Sequence, residues 1–571
     1  MLLLLVALPA AAPARPASAS GVEVVVTLAA PPLASYRPAR TLAGSRIAFA
    51  SRRSLAYSRS LESAQRTLAG RIATVIPGAA IRWHYSVVAD GMAVVVPPGR
   101  VAALARVPGV EHVWPSVTYH AMLDRSAPLI GAPRLWGPTL ATAGQGTKIG
   151  IIDDGIDQSH PFFNPTGYAY PPGFPKGNTQ YTTPKVIVAR AFAPAGTTYA
   201  NASLPFDPKE SDHATHVAGI AAGDDGTLAR DVRIAGIAPR AYLGNYKALS
   251  VPSPDFGLDG NSPEIVAAIE AAVRDGMDVI NLSLGEPEID PRRDIVVRAL
   301  DAAADAGVVP VVAAGNEYGD FGRGSISSPA NAPKAISAAA STGGHGSPTP
   351  DRVASFSSSG PTPYSLQFKP DVTAPGVDIL SSVPAREGLW DEISGTSMAS
   401  PHVAGAAALL RQRHPTWSVA QIKSALVLTG ATVRKGRTEV PATREGGGRI
   451  DLVQADAPFV FARPSALSFG LVGPGTVVRR TVALTDAGGG AGAWSVRIAL
   501  QVSARGLVVR APKTAPVPGT LTVRAGAAAG AAERDVTGFV VLTRAGATRR
   551  IPFWYRVARP RLGLDPARTL S

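Results

Sequence analysis

Two stretches of this 571-residue chain repeat one pattern, and that pattern narrows the fold more than any other feature. Residues 263–284, PEIVAAIEAAVRDGMDVINLSL, carry apolar residues at helical spacing up to Gly276 and then form an apolar strand that enters Gly285. Asp294 to Ala306 again reads as a helix. Gly307 stops it, 308–314 is apolar, and Gly315-Asn316-Glu317 follows. Glycine ends a helix readily because a left-handed residue costs it no Cβ clash. A strand apolar on both faces belongs in a parallel sheet covered by helices on each side. Repeated units of this kind predict an α/β fold with a doubly wound parallel sheet. Thr147 to Asp153, TKIGIID, is a further buried strand, ending in Asp153-Asp154-Gly155. Acids at the carboxyl end of a parallel strand lie where such folds place their sites, although an Asp-Gly turn accounts for the same residues.

Three more positions carry chemistry. Ser397 lies in GTSMASP, at the start of an Ala-rich segment that continues HVAGAAALL. Placed at a helix amino end, it faces free N–H groups and the positive end of the dipole, which suit an oxyanion; an ordinary serine cap fits the same residues. Pro401 is expected in the first helical turn, where its missing N–H costs little. Asp212-His213-Ala214-Thr215-His216 heads a second small-residue helix. Of nine histidines, His213, His216 and His402 are the plausible bases, with His402 read as structural and His160, His345 and His414 as loop-like or exposed. His213 and His216 share a helix face, so a metal pair is conceivable, but no third ligand accompanies them. Asn316, at a strand end, is either a turn former or an amide donor aimed at a reaction centre.

With Asp153, His213, Asn316 and Ser397 in this order, the chain resembles the subtilisin-like serine proteases, the subtilases. The matching blocks are IIDDGID (151–157), HATHVAG (213–219), VINLSLG (279–285), VVAAGN (311–316), SFSSSGP (355–361), KPDVTAPGVDI (369–379) and GTSMASPHVAG (395–405). The resemblance implies a secreted serine endopeptidase. Ser397 would be the nucleophile, His213 the base, Asp153 its orienting acid, and Asn316 with the N–H of Ser397 the oxyanion hole. Ser283, Leu284, Gly285 and Ala313, Ala314, Gly315 would wall the pocket for the residue before the scissile bond. Their small apolar character predicts a preference for bulky apolar side chains. Two positions depart from the family: Asp154 stands where a small hydroxyl residue is usual, and Ala214 where glycine is usual. No cofactor is required for the chemistry. Structural calcium sites are common in the family; the sequence assigns no metal ligands, and Asp224, Asp225 and Asp255 are candidates.

The flanking regions divide the chain. Residues 1–20 read as a signal peptide, because MLLLLVALPAAA is too short to span a bilayer and Ala17-Ser18-Ala19 is a small-x-small cleavage pattern. The absence of cysteine excludes disulfides and thiolate chemistry. Residues 21–120 read as strand, helix, strand, strand, helix, strand, a ferredoxin-like α+β order. By resemblance they are an inhibitor-type propeptide, cut between about Tyr119 and Arg125. Residues 121–458 are the catalytic region, within which 161–208, rich in Pro, Gly and Tyr, reads as surface loops. Residues 459–571 read as a β-sandwich, similar to a fibronectin-III-like domain. Charge is unevenly spread: 21–120 has 11 Arg against 4 acids, and 459–571 has 16 Lys/Arg against 4 acids, which leaves the middle net acidic in a chain of net charge +14. Without a basic helix or interleaved aromatics, this predicts no specific nucleic-acid partner. Its expected partners are protein substrates, its own propeptide and an anionic surface for the basic C-terminal region. A monomer is expected.

Overall fold

The computed structural model describes residues 21–33, 36, 38, 51–86, 90–115, 123–253, 257–343, 351–502 and 504–559. The expected signal peptide, Tyr119 and Asp255 therefore lie outside the described residues. The chain divides into two compact units, Met1–His120 and Ala121–Ser571.

In the first unit, β1 (Val22–Thr27), α1 (Arg52–Val75), β2 (Ala80–Tyr85), β3 (Gly91–Val96), α2 (Val101–Leu104) and β4 (His112–Pro115) follow in chain order. The sheet order is β2-β3-β1-β4, with β1 antiparallel to both neighbours. Leu68 and Ile72 of α1 and Leu104 of α2 close over Val24, Val26, Met92 and Val94. Ser51 caps α1 through its side chain, which accepts from the N–H of Ser54.

The second unit is built on eight strands: β5 (Lys148–Asp153), β6 (Lys176–Gly177), β7 (Val186–Ala191), β8 (Tyr242–Lys247), β9 (Val279–Leu282), β10 (Val309–Ala313), β11 (Ile336–Ser341) and β12 (Val372–Pro375). Their order is β12-β11-β10-β9-β5-β8-β7-β6, and every pairing is parallel. From β5 the chain runs to the edge strand β6, builds inward through β7 to β8 beside β5, and then places β9 on the other side of β5. The carboxyl end of β5 is thus the point where strand order reverses, where a crevice opens between diverging connections. The longer helices are α3 (His213–Ala222), α4 (Ser262–Asp275), α5 (Ile295–Asp305), α6 (Thr396–Arg413) and α7 (Val419–Leu428). Gly276, at φ +82°, ends α4 as expected of a left-handed cap.

Two expectations need correction. Residues 161–208 are not all surface loop: β7 within them is buried and belongs to the central sheet. His160 is buried, and its ring accepts from the N–H of Phe162 and bonds Leu389 O.

After Ala457 nine strands follow among the described residues: β13 (Val460–Arg463), β14 (Leu467–Val472), β15 (Val477–Asp486), β16 (Gly492–Leu500), β17 (Leu507–Arg510), β18 (Thr514–Val517), β19 (Gly519–Ala527), β20 (Arg534–Arg544) and β21 (Ala547–Val557). They form two sheets, β13-β15-β19-β17 and β14-β21-β20-β16-β18, curled around an apolar interior that includes Val482, Leu521, Trp494 and Phe553. This C-terminal region is bound to the rest of its unit. Phe368 and Ala442 pack with Phe539, Val541 and Trp554, and Trp417 meets Phe461 edge-on at 5.0 Å.

Candidate active site

Asp153 is the last residue of β5 and is buried, where the reversal of strand order opens the crevice. Its Oδ1 accepts from His213 Nδ1 at 2.8 Å and from the N–H of Asp154 at 2.8 Å. The carboxylate thereby fixes the histidine tautomer, leaving Nε2 as the acceptor. Burial alone would lower the His213 pKa, but the charge and hydrogen bond of Asp153, then Asp154 and Asp212, overcome it and raise it to about 9. The His213 side chain keeps 29% of its surface exposed, so its outer nitrogen reaches solvent.

Ser397 is the second residue of α6, after Gly395 at the cap position. Pro401 is in the second turn, not the first. Its missing N–H would have bonded the carbonyl of Ser397. That carbonyl instead accepts from Ser283 Oγ at 2.8 Å. Ser283 Oγ in turn accepts from Asn281 Nδ2 at 3.0 Å, and Ser400 Oγ donates to Asn281 Oδ1 at 2.7 Å. The end of β9 is thus bolted to the head of α6, and Pro401 is what frees the carbonyl for that bond. Ser397 Oγ donates to Ser283 O at 3.2 Å, and among the described residues no hydrogen bond joins it to His213.

Asn316 follows β10 and is exposed. Its Oδ1 accepts from the N–H and the hydroxyl of Thr396, at 2.9 and 3.0 Å. Because a backbone N–H can only donate, the amide orientation is settled and Nδ2 faces outward. A Cβ at Gly395 would lie 3.6 Å from Ser397 N and 3.7 Å from Asn316 Nδ2. The two donors therefore border one small space, and a bare glycine leaves it open.

The segments 283–285 and 313–315 both meet the head of α6, through Ser283 Oγ on Ser397 O and through the N–H of Gly315, which donates to Thr396 Oγ1 at 3.2 Å. Ala313, Ala314 and Ser283 are buried and Leu284 partly so. A Cβ on Gly285 would lie 2.7 Å from Ser327 Oγ, and one on Gly315 would lie 3.0 Å from the same oxygen. Ser327 thus sits between the two segments. Glu317 also reaches the Gly315 side, where its Oε2 accepts from Ser358 Oγ at 2.9 Å. Sequence reasoning missed Asn281, Ser400, Ser327 and Glu317. The polar Asn281 inside the apolar run VINLSL was the one signal available.

His213 and His216 do not act as a pair. His216 is buried and donates through Nε2 to Ile379 O and Asp391 O, at 2.9 and 3.2 Å. His402 is buried and donates through Nδ1 to Met398 O at 2.8 Å. Among the described residues no cluster of three or more His, Asp or Glu could hold a metal ion. Asp224 is committed to the buried Lys185 at 3.2 Å and to Tyr168 OH at 2.8 Å.

A buried acid bonded to a histidine that heads one helix, and a serine at the head of another beside an exposed amide, are the groups a serine-type hydrolase uses. A family model described as the subtilase family matches residues 144–448. Subtilisin E of Bacillus subtilis (strain 168) is 36% identical over 286 residues, 50% of this chain and 61% of that protein. Subtilisin of Bacillus pumilus is 35% identical over 286 residues, 84% of its length. The minor extracellular protease Vpr of Bacillus subtilis (strain 168) is 26% identical over 560 residues, covering 72% of this chain and 65% of that one. The chain belongs to the subtilase family, with a serine-type endopeptidase domain and an additional C-terminal region. It spans about three fifths of the length of subtilisin E.

Proposed function

We propose that this protein is a secreted endopeptidase, made as a self-processing zymogen, that cleaves protein chains through an acyl-enzyme on Ser397. The observation that carries this is the 2.8 Å bond from His213 to Asp153, on the same sheet edge as the two donors beside Gly395. Ser397 Oγ turns from Ser283 O toward His213 Nε2, gives up its proton there and attacks the substrate carbonyl carbon. The oxyanion that forms accepts from Asn316 Nδ2 and Ser397 N. Asp153 stabilises the imidazolium, which then protonates the leaving amine as the peptide bond breaks. Water, deprotonated by the same imidazole, releases the acyl group.

Ser283, Leu284, Gly285, Ala313, Ala314 and Gly315 support a preference for bulky apolar residues before the scissile bond. A peptide library tests this; a basic preference would overturn it and point to Glu317. The first unit reads as an inhibitor and folding aid, on its βαββαβ order and its excess of arginine. Separately produced 21–120 that leaves the enzyme's rate unchanged would refute that. The C-terminal region reads as a fibronectin-III-like domain that tethers the enzyme to an anionic surface. Structural calcium would not enter the reaction. The test of the central reading is labelling with a fluorophosphonate. The chain should be modified at Ser397 and the Ser397→Ala variant should not; an unlabelled wild-type enzyme overturns the reading.

A further inference from the structure

The geometry points to Asp154 as a positioning residue that holds His213 from a second side and sets its basicity. This rests on the reading of His213 as the base.

The first N–H groups of α3 have no partner within the helix. Asp212 occupies the cap position but makes no side-chain bond to it. The partner comes from the end of β5. Asp154 Oδ2 accepts from the N–H groups of Asp212 and His213 at 2.9 and 3.1 Å, and Oδ1 from that of Ala214 at 2.7 Å. Successive residues of a strand point to opposite sides, so Asp153 and Asp154 diverge. One takes the imidazole ring and the other takes the backbone that carries it. A hydroxyl residue at this position could accept from at most two of those three N–H groups and would bring no charge.

Asp154 is 3% exposed. The charged and titratable groups around it are Asp153 on β5, Asp212 and His213 at the head of α3, and Lys247 at the end of β8, whose Nζ donates to Asn201 O at 3.0 Å. His216 lies further along α3, close enough for the His213 charge to act on it. Burial first, and then the adjacent Asp153 charge, push the Asp154 carboxyl up to about 7 against the pull of His213. The charge on each of these groups therefore shifts the titration of the other. An ionised Asp154 favours the imidazolium and so demands a higher pH before His213 can accept the Ser397 proton. A neutral side chain at 154 releases that demand.

The sign of the effect follows. Asp154→Asn keeps an oxygen acceptor for the helix but removes the charge. The acid limb of the fluorophosphonate labelling rate against pH should move to lower pH by about one unit, whatever the height of its alkaline plateau. Asp154→Ala removes charge and cap together, and its plateau should fall about tenfold or more. An acid limb at the same pH in wild type and Asp154→Asn, or an unchanged plateau in Asp154→Ala, overturns the inference. A measurement independent of turnover is the titration of the His213 ring by NMR in the full chain carrying Ser397→Ala. Adding Asp154→Asn there should lower its pKa, and an unmoved value counts against the proposal. Failure of the protease reading appears differently, as a wild-type chain that is not labelled at any pH.

Discussion

The amide oxygen of Asn316 is taken by Thr396, so its two N–H bonds have no competing acceptor among the described residues and stand ready for a ligand. Such a donor acts mainly on the charge that develops in the transition state. Asn316→Ala should therefore lower kcat by roughly 10²–10³-fold, with KM changed far less. Asn316→Asp keeps the acceptor for Thr396 but offers no donor, and it should lose at least as much. Steady-state kinetics on one peptide substrate measures both, and a loss confined to KM would remove Asn316 from the oxyanion hole. At this scale the sequence was readable where chemistry is local. A strand-end acid, a helix-head histidine and a helix-head serine each announce themselves within a few residues, and the structure joins Asp153 to His213 at 2.8 Å. What it did not disclose was the partner that only folding supplies. Ser327 and Glu317 reach the proposed walls through the loop after β10, and Ser400 reaches Asn281 across 119 positions of chain.

The elements show the same division. The α4–β9 and α5–β10 units were legible because glycine stops and apolar runs are local signals. Strand β7 was hidden for the opposite reason. It is six residues long in a stretch dense in proline, glycine and tyrosine, and its burial is decided by pairing with β8, more than fifty residues later. The C-terminal strands β17 and β18 carry little sequence signal because they are four-residue edges, one of them containing Pro516, and proline in a strand reads as a turn. Helix α6 joins both lessons. Its small residues are legible, but their purpose is not: a Cβ on Gly405 would lie 2.6 Å from Ile237 Cβ and 2.8 Å from Ala221 O, so the glycine is needed for α6 to lie against α3. Pro401 gave a wrong placement because its cost was weighed only within the helix, whereas Ser283 compensates it from outside.

Across the whole molecule, cationic charge is placed rather than scattered. In the β13-β15-β19-β17 sheet, Arg479 lies directly opposite Arg524, and Arg524 directly opposite Arg510. All three are exposed, and no ion pair to any of them occurs among the described residues. Three adjacent strands at about 4.8 Å spacing make a row of charges about 10 Å across. Like charges in directly opposite positions destabilise a sheet, so the row lowers stability unless a polyanion meets it. Deleting the C-terminal region would be a poor test of that tether. It would strip Phe539, Val541 and Trp554 from Phe368 and Ala442, and remove the Arg549 bonds to Ala457 O and Pro458 O. Changing Arg479, Arg510 and Arg524 to Ser in the full chain is the clean alternative. The variant should leave an anionic polysaccharide column at lower salt than the wild type, with the salt dependence of binding weakened by up to about one unit of slope per arginine. It should be no less stable to urea, because only mutual repulsion has been removed, and its fluorophosphonate labelling should be unchanged. Elution at the same salt would assign the row to an ordinary solvated face and leave the tether without a contact surface.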